Sequence, residues 1–349
     1  MAERKLKLLI AQHRWWFPTA VSGADFANHE LAWKMVEQGV DVRVHGILPP
    51  GEDRRVLRRR YTAGGIPVYL VKSDFLKHLR ARIDEFKPDV VLTTCPEPNC
   101  GADDITRMVD AIRSFGIPTV LYVHDLESTL PLFDNARRQL AAVITNSRFM
   151  VDRIQNLWSM PCDLVYPVPD SKPFYPDNPG GPFITFFNPL PHKGLGVAHT
   201  LVTSRFPDRP FLFVEGFIDP ADHGISLTRS GNLVHARRSP DIATIYSMSR
   251  IVIIPSQWEE PFGRIALEAM LSRVPVIASR TGGLPESVGD GGILIDDYAS
   301  VDRWVEAIEA LSDPKERRRT IAAGKRHVKR FSLDDQAAEL VSILNRVAQ

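Results

Sequence analysis

Short apolar runs alternate with longer amphipathic stretches along this whole chain, and this alternation constrains the fold more than any other feature. In the first half the runs fall at 6–11, 41–45, 68–71, 90–93, 119–123 and 142–145. In the second half they fall at 183–187, 211–215, 233–235, 251–254, 276–278 and 292–295. Each has the length of a buried strand rather than a helix. Between them lie helical patterns, for example 25–38, 75–86, 103–115 and 264–272, and Gly39 stops the first of these as a C-terminal cap. Strands that alternate with helices predict an α/β fold with parallel, doubly wound sheets. Pro167, Pro169, Pro173, Pro176 and Pro179, followed by Gly180-Gly181-Pro182, interrupt the series and mark a domain boundary. The expected organisation is a first domain over 1–170, a second over 171–331, and a terminal helix over 332–349. In that helix Leu333, Ala337, Leu340, Leu344 and Val347 recur at helical spacing.

A length of 349 residues suits two ordinary domains, and 44% apolar with 24% charged residues is a soluble globular composition. The net charge of +1 offers no nucleic-acid footprint. Three cysteines, Cys95, Cys100 and Cys162, leave at least one unpaired and fit a reducing compartment. No apolar run approaches a membrane span, and the first apolar stretch turns polar at Gln12-His13-Arg14, which reads as a strand rather than a signal peptide. The expected location is the cytoplasm.

The most specific stretch is Ser256-Gln257-Trp258-Glu259-Glu260-Pro261-Phe262-Gly263-Arg264-Ile265-Ala266-Leu267-Glu268-Ala269-Met270. Glu260 falls in the loop that ends a strand, and Glu268 on the helix that follows. Open α/β sheets bind ligands at that place, and a helix N-terminus there suits a diphosphate. The pattern continues through 274–279 into Gly282-Gly283-Leu284-Pro285-Glu286. This region resembles the retaining glycosyltransferases of the GT-B fold, the family-4-like group, which carry two glutamates at this spacing around Phe-Gly and Glu-Ala-Met. The resemblance implies two facing Rossmann-like domains with a cleft between them. It also implies transfer of a hexose from a UDP- or GDP-linked donor to an acceptor, with retained anomeric configuration.

It further assigns roles. Lys193, in Asn188-Pro189-Leu190-Pro191-His192-Lys193-Gly194, is the candidate diphosphate cation. The family adds an arginine shortly before this lysine, and here Phe187-Asn188 stands in its place. Glu268 is expected on the ribose hydroxyls, with Phe262, Gly263, Arg264 and Ile265 lining the donor. Glu260 and His124 are expected to act on the sugar. Gly23, where the family commonly has two glycines, is expected to let backbone approach the diphosphate. Trp15 and Trp16 are candidates for stacking on an acceptor; packing in the core is the alternative. Arg54, Arg55, Arg58, Arg59 and Arg60 form a basic run, a solvated surface or a peripheral contact with anionic lipid. A soluble acceptor of small or medium size is favoured. No Asp-x-Asp triplet occurs, so neither a metal nor another cofactor is expected. The rival readings are a sugar-nucleotide-binding or regulatory subunit with weak catalysis, kept open by the missing arginine, and a nucleotide-sugar epimerase.

Overall fold

The computed structural model describes residues 4–18, 22–49, 60–94, 96, 99–127, 129–174, 180–216, 231–237 and 242–349. Arg54, Arg55, Arg58 and Arg59 of the basic run lie outside the described residues. The chain divides into two compact units, Met1–Pro167 with Leu333–Gln349, and Val168–Ser332.

The strands of the first unit are β1 (Lys7–Ala11), β2 (Asp41–Ile47), β3 (Arg60–Ala63), β4 (Ile66–Val71), β5 (Val90–Thr93), β6 (Thr119–Val123), β7 (Ala142–Thr145) and β8 (Asp163–Leu164). Those of the second are β9 (Phe183–Phe187), β10 (Phe211–Val214), β11 (Leu233–Ala236), β12 (Ser249–Ile254), β13 (Val276–Ser279) and β14 (Ile293–Ile295). The helices, in chain order, are α1 (Gly23–Glu37), α2 (Phe75–Phe86), α3 (Ala102–Arg113), α4 (Leu130–Phe133), α5 (Arg148–Trp158), α6 (Leu195–Thr200), α7 (Ile242–Met248), α8 (Arg264–Leu271), α9 (Leu284–Val288), α10 (Val301–Ala310), α11 (Pro314–Val328) and α12 (Leu333–Ala348).

The first sheet runs β3-β4-β2-β1-β5-β6-β7-β8, and the second β11-β10-β9-β12-β13-β14. All pairings are parallel except β3 with β4. That hairpin is a sequence signal left unread. Gly64 and Gly65 both take positive φ, +57° and +83°, as a two-residue turn of the tight antiparallel kind requires. The central strands are buried on both faces, with Leu8, Leu9 and Ala11 fully enclosed, which is why they read as unbroken apolar runs.

Each sheet reverses its winding once. In the first, β2 lies on one side of β1 and β5 on the other. In the second, β10 lies on one side of β9 and β12 on the other. The carboxyl ends of β1 and β5, and of β9 and β12, are therefore the two places where neighbouring loops part and leave a crevice.

The terminal helix belongs to the first unit. Its apolar stripe, Leu333, Ala337, Leu340, Ile343 and Leu344, is buried. Polar bonds fix its register: Asp334 meets Lys34 at 3.0 Å, Gln336 Oε1 accepts from Tyr166 N at 2.7 Å, and Arg346 pairs with Asp163.

Candidate functional site

The two loops at the second unit's reversal point carry Lys193 and Glu260. The first leaves β9 and the second leaves β12. Gln257 N donates to His192 O at 2.8 Å, which ties the loops together through backbone. Gly194 takes φ +92° against Pro255, where an added Cβ would fall 1.9 Å from the carbonyl oxygen, so no larger residue fits. The loop after β13 closes the third side. Gly283 N donates to Glu260 O at 2.6 Å, and a Cβ on Gly282 would meet the backbone of Glu260 at 2.3 Å. The glycine pair of the motif is thus there to let one backbone lie against another.

Within this frame Lys193 Nζ lies 2.7 Å from Glu260 Oε1, and Ser256 Oγ donates to the same oxygen. Burial alone would raise the Glu260 carboxyl. The charge and hydrogen bond of Lys193, the bond from Ser256 and the adjacent Trp258 outweigh it and hold the group below its ordinary value. Trp258 Nε1 itself is buried outside hydrogen-bonding geometry. Its ring lies under the ammonium, with Lys193 Nζ 4.4 Å from the ring centroid, and His192 meets it edge-on.

Gly263, at φ +93°, is the N-cap residue of α8, and no side chain caps the helix. Its N-terminal end therefore carries the helix's partial positive charge with no side chain bonded across it. Arg264 and Glu268 stand one turn apart on that helix, with Arg264 Nε 3.2 Å from Glu268 Oε1. Tyr246, from α7, donates its hydroxyl to Glu268 Oε2 at 2.9 Å. Phe262 is buried against Phe331, which leaves it only backbone to offer, and Ile265 packs on the core. Asn188, standing where the family's arginine is expected, takes φ +56° and packs its side chain onto Gly216.

The other expected residues belong to the first unit. His124 follows β6, is buried, and its Nε2 lies 2.8 Å from Asn28 Oδ1. Asn28, on α1, donates to Thr94 Oγ1 at 2.9 Å and so links the ends of β5 and β6. Gly23 is the first residue of α1. Ser22, the residue in the place of the family's other glycine, caps that helix with Asp25 in a reciprocal capping box. Asp25 is also held by Arg14 through two bonds, of 3.1 and 3.2 Å. Trp15 is half-buried. Trp16 is 1% exposed and lies edge-on to His29, so its ring presents no open face on which an acceptor could stack. Its core-packing alternative is what the structure shows, because the loop after β1 turns inward against α1. Among the described residues, no group of three or more His, Cys, Asp or Glu side chains could hold a metal ion. None of the described helices is long and apolar enough to cross a membrane.

Sequence reasoning missed Ser256, Trp258, Tyr246 and Asn28. Ser256 and Trp258 lie within the motif but no pairing rule singles them out. Tyr246 reaches Glu268, and Asn28 reaches His124, only through tertiary packing within their own units.

Two family models match this chain: that of the group 1 glycosyl transferases over residues 229–327, and that of glycosyltransferase family 4 over residues 21–170. The chain belongs to the family-4-like glycosyltransferases of GT-B fold. A D-inositol 3-phosphate glycosyltransferase of Corynebacterium kroppenstedtii is 43% identical over 114 residues, which are 31% of this chain and 24% of the relative. The corresponding protein of Corynebacterium diphtheriae is 33% identical over 159 residues, 41% of this chain and 36% of the relative. The chain thus spans about a quarter to a third of the length of these two relatives. Among solved structures, Anabaena HepE in complex with UDP and glucose superposes with TM-score 0.78 at 17% identity, over 97% of this chain and 99% of that one. Sucrose-phosphate synthase of Thermosynechococcus elongatus gives 0.75 at 16%, over 98% and 99%. At such identities this glycosyltransferase shares their fold.

Proposed function

We propose that this protein is a retaining, metal-independent glycosyltransferase that moves a hexose from a nucleoside-diphosphate sugar to an acceptor hydroxyl. The observation that carries the reading is the convergence of Lys193, Glu260 and the uncapped start of α8 at the second unit's reversal point. Breaking the bond between sugar and diphosphate builds negative charge on the leaving phosphates and positive charge on the ring. The ammonium of Lys193 and the N–H groups of the first turn of α8 answer the first charge. Glu260, kept ionised by its neighbours, is assigned the sugar, where its charge answers the second. Glu268 takes the ribose hydroxyls. No protein nucleophile is required: the leaving phosphate accepts the acceptor's proton as the acceptor attacks from the same face.

His124 is assigned a sugar hydroxyl and Gly23 the diphosphate on the family resemblance. A soluble acceptor of small or medium size remains the favoured class. The relatives' name, D-inositol 3-phosphate glycosyltransferase, supports a small polar acceptor.

A second reading, donor binding without efficient transfer, draws on Asn188, a neutral residue where a second cation is expected. One pair of measurements separates the two. Under the first reading UDP or GDP raises the melting temperature in the presence of chelator, and incubation with the matching sugar nucleotide releases free nucleotide. The product's anomeric proton, followed by NMR, keeps the donor's configuration. Stabilisation without any turnover or hydrolysis would leave the binding reading. An inverted product, or activity lost to chelator and restored by manganese, would overturn the retaining, metal-independent one.

A further inference from the structure

Glu268 is gripped at both oxygens by groups of different origin. Arg264 Nε, one helical turn earlier, donates to Oε1 at 3.2 Å, and the Tyr246 hydroxyl donates to Oε2 at 2.9 Å. Tyr246 is fully buried, its ring tilted against Phe187 at 5.2 Å and edge-on to Phe174 at 5.8 Å. Such a phenol cannot itself reach a ligand; whatever it does passes through Glu268. A carboxylate oxygen has room for about two hydrogen bonds. With one donor on each, Glu268 keeps acceptor capacity on both oxygens while its rotation is stopped.

We propose that Tyr246 is a positioning residue for the nucleotide site: with Arg264 it locks the Glu268 carboxylate so that the two oxygens stand side by side for a vicinal diol, the 2′- and 3′-hydroxyls of a ribose. This rests on the donor-site reading above. Burial first, and then the neighbouring Glu268 charge, push the phenol's pKa well up, so the hydroxyl remains a donor throughout the neutral range. Phe187, against whose ring Tyr246 packs, ends β9, the strand whose following loop carries Lys193.

Tyr246→Phe removes one oxygen and keeps the ring. Calorimetric titration with UDP, GDP and their 2′,3′-dideoxy counterparts reads the lock as a ratio of affinities. In the wild-type protein the ribose form of the binding nucleotide should be favoured about tenfold, the scale of a hydrogen bond to a charged group. In Tyr246→Phe that ratio should fall at least about threefold, with the dideoxy affinity unchanged. Equal losses for both forms, no loss at all, or a variant that fails to fold would make the tyrosine a packing residue and overturn the proposal. Glu268→Ala is the control for the underlying reading. If it leaves the ratio intact, the ribose assignment itself is wrong; if it abolishes the ratio while Tyr246→Phe does not, only the tyrosine's role falls.

Discussion

Lys193 Nζ and Glu260 Oε1 lie 2.7 Å apart, so the two residues assigned to adjoining parts of the donor, its diphosphate and its sugar, hold each other. A diphosphate that takes the ammonium has to compete with the carboxylate. The consequence runs against the usual effect of trimming a binding site. Glu260→Gln should tighten binding of the free nucleoside diphosphate, by about two- to tenfold, because Lys193 no longer serves an internal partner. The same change should lower turnover far more, since the sugar loses its charged contact. Calorimetry and steady-state kinetics on one preparation decide it. Weaker nucleotide binding in Glu260→Gln would show that the pair does not compete with the ligand.

The pair also makes a statement about acid stability. Glu260's carboxyl is held below its ordinary value of 4.5, with burial opposing and Lys193 and Ser256 prevailing. Its folded-state pKa is depressed, so its stabilisation is complete above that ordinary value and is lost as pH falls through the lowered one. Lys193→Met should therefore destabilise the second unit by about 1–3 kcal/mol near neutrality. That is less than the roughly 3–5 kcal/mol of breaking a wholly enclosed pair, because the lysine retains some solvent contact. Urea unfolding at successively lower pH should show the difference from wild type shrinking below the carboxylate range. A difference that is constant with pH would remove Glu260 from the account.

Much of this was legible beforehand, for identifiable reasons. Strands buried on both faces announce themselves as apolar runs, and the Glu260-to-Glu268 stretch places a loop and a helix in order. The terminal helix showed its stripe because Leu333, Ala337, Leu340 and Leu344 repeat on one face. What the chain could not show was pairing across elements. Nothing near Glu268 in sequence points to Tyr246, and nothing near His124 points to Asn28, since the partners come from helices wound on separate connections. Trp15 and Trp16 show the same limit: adjacent aromatics on one loop look alike, yet the backbone turns Trp16 inward and leaves Trp15 half-buried.

The two tryptophans should accordingly separate in experiment. Trp16→Ala removes a fully buried ring beside His29 and should cost about 3–5 kcal/mol of stability, with melting lowered before any kinetic effect is read. Trp15→Ala, at a partly open position, should cost far less and should be the change that raises the acceptor's Michaelis constant. Thermal unfolding of both variants, followed by acceptor titration of the stable one, tests the assignment. Equal destabilisation would mean that both rings belong to the core.

His124 and Asn28 should behave as one unit. Asn28 Oδ1 lies 2.8 Å from His124 Nε2, and the same amide donates to Thr94 at 2.9 Å, so the imidazole is oriented by a group itself anchored to a neighbouring strand end. With that oxygen as acceptor, the Nε2 proton is committed to Asn28, and any bond to a sugar hydroxyl must use the ring as Asn28 has set it. Asn28→Ala should then lower turnover by a substantial part of what His124→Ala does, on the order of 10-fold or more, without touching the substrate. The double variant should be hardly worse than the worse single one, a coupling within the roughly 0.5–3 kcal/mol found for residues of one network. Turnover numbers for the four proteins complete the cycle. Fully additive losses would make Asn28 a structural bridge between β5 and β6, with no part in orienting His124.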